Sequence, residues 1–97
     1  MIIQENQSLF QIINHYGEDK QLIMAIEEMS ELTKVLCKTE RGKINLNDLT
    51  EEIADVMVMM EQLILIFKLD GILIRHKMRF KIERQLRRIF DENLSNS

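Results

Sequence analysis

The chain has 97 residues, 45% of them apolar, with a formal net charge of −3, no proline, three glycines and one cysteine. That composition excludes wholesale disorder and an internal disulfide, and so little turn punctuation argues against a sheet. The length suits one domain over residues 1–97, yet the charge is uneven: residues 75–88 hold seven of the thirteen Lys and Arg.

Residues 1–10 have neither a basic start nor a long apolar run, so no export signal is expected. Residues 56–69, the most apolar stretch, are too few to span a bilayer and include Glu61 and Gln62. A cytoplasmic protein without a membrane partner is expected.

The first predicted helix covers residues 8–16. Ser8 and Gln11 fit a capping box, and Leu9, Phe10, Ile12, Ile13 and Tyr16 share an apolar face that Gly17 stops. His15, near that stop, reads as a surface or capping imidazole, with a substrate contact as the alternative. In the second predicted helix, residues 18–39, Leu22, Ile26, Met29, Leu32 and Leu36 share an arc that Ala25 and Val35 widen. Glu28 falls inside this arc, Glu31 at its edge and Glu27 nearer solvent.

A turn at Arg41-Gly42-Lys43 follows, and Asn45 or Asn47 can cap the third helix, residues 47–69. That helix is apolar round most of its circumference, which in so small a chain points to burial by further copies. Glu52 projects near the centre of its apolar face and Asp55 beside Ile66, whereas Glu51 points away. Asp70-Gly71 breaks the pattern. The fourth predicted helix, residues 72–92, has an apolar face of Ile74, Met78, Ile82, Leu86 and Ile89, bordered by a stripe of Lys77, Lys81, Arg84 and Arg88. Residues 93–97 are expected to fray. The whole reads as all-α.

Glu28 and Glu31 lie one turn apart, as do Glu52 and Asp55, and antiparallel packing would bring the two pairs together. Four carboxylates in a partly dry site cannot all stay ionised unaided. A hard cation resolves this, and an all-oxygen set favours Mg²⁺, with Mn²⁺ as a substitute, over Zn²⁺ or Cu²⁺. Magnesium sites are commonly completed by substrate phosphates. Taken singly, each acidic cluster also fits a solvated helix face; what sets these apart is that Glu28 and Glu52 both interrupt apolar arcs. The basic stripe has three readings. It fits a solvated face, a nucleic-acid footprint weakened by the acidic net charge and single tyrosine, or a clamp for phosphate oxygens. An acidic cage in the same bundle favours the clamp. Cys37 has no evident base and reads as a small buried hydrophobe, and no Gly-rich phosphate loop is present. Catalysis therefore falls to a metal-activated water.

The order Tyr16-Gly17, Gln21, Glu27-Glu28-x-x-Glu31-Leu32, Glu52-x-x-Asp55-Val56 and Lys81-x-x-Arg84 resembles the MazG-like all-α NTP pyrophosphohydrolases across roughly residues 10–90. The resemblance implies a four-helix bundle that assembles as a homodimer or homotetramer. It implies Mg²⁺-dependent cleavage of an NTP or dNTP to the monophosphate and pyrophosphate. Glu28, Glu31, Glu52 and Asp55 would then be metal ligands, and Glu27 would hold a second metal or the attacking water. Lys81 and Arg84 would bind phosphates, helped by Lys77 and Arg88, with Gln21 near the nucleotide. The chain lacks the Trp or second Tyr that often stacks on a base in such sites, which leaves base selectivity open. Its first helix is short, so a neighbouring subunit is expected to complete the base pocket. The alternatives are a related phosphohydrolase, such as one acting on phosphoribosyl-ATP, and a non-catalytic helical interaction module with a degenerate acidic site.

Overall fold

Four helices account for the fold, and there is no strand among the described residues. The computed structural model describes residues 3–96, with side chains described from Asn6 onward. The helices are α1 (Ile3–Tyr16), α2 (Glu18–Glu40), α3 (Leu46–Ile66) and α4 (Gly71–Ser95). No helix among the described residues is long and apolar enough to cross a membrane.

Local chemistry sets each boundary. Gly17, at φ 93°, donates its N–H to the Ile13 carbonyl (2.8 Å) and accepts from the Gln21 N–H (3.1 Å), so it ends α1 and begins α2. α1 starts well before Ser8, because no Gly or Pro interrupts residues 3–8, and the expected Ser8–Gln11 capping box has no helix end to cap. At the end of α2, Lys43 N–H reaches the Lys38 carbonyl (2.9 Å) and Gly42 N–H the Thr39 carbonyl (3.0 Å), with Gly42 at φ 83°. This is the Schellman closure. The Asn45 side chain then accepts the Asp48 N–H at 3.1 Å and starts α3.

α3 closes in the same way, but on a lysine. Lys68 stands at φ 54°, its N–H on the Leu65 carbonyl (3.3 Å), and Leu69 N–H reaches the Ile64 carbonyl (2.9 Å). The helix therefore ends at Ile66 and not at 69 as the pattern suggested. Asp70 accepts from the Ile72 and Leu73 N–H groups (2.9 and 3.3 Å) and caps α4, which runs on to Ser95 through the residues expected to fray.

α2 and α3 are antiparallel, since Gln21 near the start of α2 meets Gln62 near the end of α3. The seam runs through Gln21, Ala25, Glu28, Leu32, Val35 and Thr39 on α2. On α3 it runs through Leu49, Glu52, Val56, Met59, Leu63 and Ile66. All of these are buried or half-buried, and the alternating three- and four-residue steps are those of a coiled-coil seam. α1 lies against both helices and buries Leu9 and Ile13.

The seam departs from the expected core. Ile26, Met29 and Leu36 belong to the α2 apolar arc, yet they are exposed, as are Ile53, Met57, Val58 and Phe67 on α3. The contact stripe on α2 keeps one side of that arc, Ala25, Glu28, Leu32 and Val35, and extends past it to Gln21 and Thr39. Cys37, read as buried, is also exposed, because it lies on the outer side of α2.

α4 stands off from this three-helix unit. Its only half-buried residue is Ile74, and Met78, Ile82, Leu86 and Ile89 all face solvent. The radius of gyration is 17.5 Å, against about 12.5 Å for a compact chain of this length.

Candidate metal centre

The antiparallel register brings three acids into one cluster. Glu28 from α2 and Glu52 and Asp55 from α3 each offer a carboxylate oxygen, and these oxygens all lie within 4.8 Å of one another. Glu28 and Glu52 occupy seam positions and are half-buried, while Asp55 sits at the exposed lip. The Glu52 Oε2 atom is buried and has no hydrogen-bond partner. An orphaned carboxylate oxygen beside two further carboxylates is unfavourable unless a proton or a cation joins it.

The electrostatics agree. Burial raises the Glu28 carboxyl above the usual range, and the charges of Asp55 and Glu52, a hydrogen bond with Asp55 and the charge of Glu31 push it further. Glu52 is raised first by burial, then by Asp55, Glu31, Asp48 and Glu51. The charges that raise these two groups are all carboxylates. The donor set is all oxygen, which matches a hard divalent ion.

The remaining candidate residues are placed differently. Glu31 lies outside the cluster and pairs with Lys34 at 3.2 Å on an exposed surface. Glu27 is exposed on α2. Gln21, which the resemblance put near a nucleotide, is turned into the seam, where its Nε2 donates to Gln62 Oε1 at 2.7 Å. Lys77, Lys81, Arg84 and Arg88 line exposed α4. Two residues with a bearing on the site were not connected with it from the sequence. Gln62 is a polar residue within an apolar run, which was the available signal. Lys34 occupies Glu31 from three residues on, an ordinary helical spacing that carries no signal of its own. Compared with known proteins, the chain matches no family model, no curated protein and no solved structure.

Proposed function

We propose that the chain is a magnesium-dependent nucleoside triphosphate pyrophosphohydrolase of the MazG-like type, working as an oligomeric four-helix bundle. The observation that carries this reading is the Glu28–Glu52–Asp55 cluster, in which Glu52 has a buried, unpartnered oxygen. These three side chains would hold Mg²⁺, or Mn²⁺ in its place. Bound there, the ion would supply charge against the triphosphate and would make a nearby water more acidic.

The protein's own groups have the other parts. Glu31, one turn from Glu28 and held only by an exposed ion pair, is free to turn toward the site as a fourth ligand. Glu27 is suited to orient the attacking water and take its proton. Water adds to the α-phosphorus, the bond to the bridging oxygen of the β-phosphate breaks, and pyrophosphate departs with the bonding electrons. Lys77, Lys81, Arg84 and Arg88 suit the negative charge of the triphosphate and of that leaving group. The exposed apolar face of α4 favours one further reading, a non-catalytic interaction module.

Two measurements separate these readings. Mg²⁺ is expected to raise the melting temperature of the protein, and Glu52→Gln is expected to abolish that response. A pyrophosphate-release screen over NTPs, dNTPs and phosphoribosyl-ATP then identifies the substrate. A melting curve indifferent to Mg²⁺, with no pyrophosphate from any nucleotide, overturns the enzymatic reading in favour of the module.

A further inference from the structure

The surface of this chain is out of proportion to its mass. A folded monomer of 11.6 kDa exposes about 5,800 Å². This chain exposes 8216 Å², an excess of roughly 2,400 Å², which is what one partner of an obligate homodimer buries. The excess is apolar in two places. One is α4, with Met78, Ile82, Leu86 and Ile89 at 52–60% exposure. The other is a bare face of the α2–α3 layer. On each of those helices the exposed stripe is turned roughly 90° from the seam in the same rotational sense, Ile26, Met29 and Leu36 on α2 and Ile53, Met57 and Met60 on α3. In an antiparallel pair, equal sense puts both stripes on one side of the layer.

Charge divides along the same line. Gly71–Ser95 carries seven Lys and Arg against three Asp and Glu, a balance of +4, while the rest of the chain carries six against thirteen, a balance of −7. The 25 residues of α4 span about 37 Å, and the 23 of α2 about 35 Å, so the helix matches the length of the face.

We propose that α4 is an exchanged arm, docking its apolar face on the bare α2–α3 face of a second copy. Its basic stripe then runs beside that copy's acidic helices. Reciprocal exchange closes a two-fold dimer, with each arm in the same environment. Exchange is favoured over folding back because α4, along its whole length, leaves only Ile74 half-buried beside its own layer. Residues 67–70 are pinned at one end by the Lys68 and Leu69 closure and at the other by the Asp70 cap, which fixes the direction in which α4 leaves α3. This inference does not depend on catalysis, and a dimer without hydrolytic activity is compatible with it.

Sedimentation equilibrium tests the stoichiometry, with twice 11.6 kDa expected at micromolar concentration. Zero-length carboxylate–amine cross-linking of mixed light and heavy isotope-labelled chains tests the exchange. Links from Lys77 or Lys81 to acids of α2 or α3 are expected in mixed-isotope peptide pairs. Arg84→Glu, a surface change that leaves the apolar face intact, should weaken the dimer tenfold or more with unchanged helical circular dichroism. A monomer at every concentration overturns the proposal. Links confined to single-isotope pairs overturn it in favour of folding back, and a dimer that Arg84→Glu does not weaken overturns the placement of the basic stripe.

Discussion

Gln21 stands opposite Gln62 in the α2–α3 seam, its Nε2 donating to the partner Oε1 at 2.7 Å with both residues almost wholly buried. Seven residues on along α2 is Glu28, and seven back along α3 is Asp55, so the register that pairs the amides also pairs the acids. A buried polar pair of this kind favours one register over its neighbours. Gln21→Leu or Gln62→Leu alone leaves a buried amide without its partner and is expected to cost about 1–3 kcal/mol in urea unfolding. The double Leu variant is expected to recover that stability but to lose part of the Mg²⁺-induced rise in melting temperature. If the double variant binds Mg²⁺ as the unmutated chain does, the amides do not set the register.

Stability should depend on pH through the cluster. Glu28 and Glu52 hold protons more tightly in the folded chain than in the unfolded one, because burial and neighbouring carboxylates raise both. Their contribution is therefore full below the unfolded pKa and is lost as the pH rises through the raised folded values. As the pH rises above the ordinary carboxylate range, about 4 to 4.5, the metal-free protein should lose more stability than Glu52→Gln does. Chemical denaturation in chelator from that range upward checks the difference. A steeper loss in the variant would contradict the assignment.

Lys34 competes with any cation for Glu31. The pair is exposed on both sides, so releasing it costs about 0–1 kcal/mol. Lys34→Met is expected to tighten Mg²⁺ binding several-fold by titration calorimetry, because Glu31 is freed and a positive charge is removed. Unchanged affinity would mean that Glu31 stays outside the site.

The closure of α3 rests on a residue poorly suited to it. Lys68 holds φ 54°, which disfavours a residue with a Cβ by about 1–2 kcal/mol relative to glycine. Lys68→Gly should therefore raise the unfolding free energy by about 1 kcal/mol, part of the relief being offset by the freer unfolded chain. A fall in stability on that substitution would show that the lysine side chain makes a compensating contact.

Helix number and order were legible because breakers are few and well placed: Gly17, Gly42 and Asp70 all act where their chemistry suggests. The end of α3 was not, because a lysine took the left-handed position that glycine ordinarily marks. Glu28 and Glu52 were legible because each interrupts an apolar arc, and Asp55 because it lies one turn from Glu52; Glu31, at the same spacing from Glu28, lies outside the cluster. The seam was legible in part. Summed hydrophobicity marks a whole apolar arc, and on α2 one side of it, Ile26, Met29 and Leu36, is left bare while Ala25, Glu28, Leu32 and Val35 line the contact together with Gln21 and Thr39. Apolar periodicity registers every surface that avoids water, and it does not distinguish one covered within the chain from one left open on it.

Among the described residues only Leu9, Ile13, Ala25 and Met59 are apolar and buried. With so thin an interior, the folding equilibrium is joined by mass action to whatever shelters the remaining oily surface. Dilution should then act on this chain much as warming acts on a protein with a full interior.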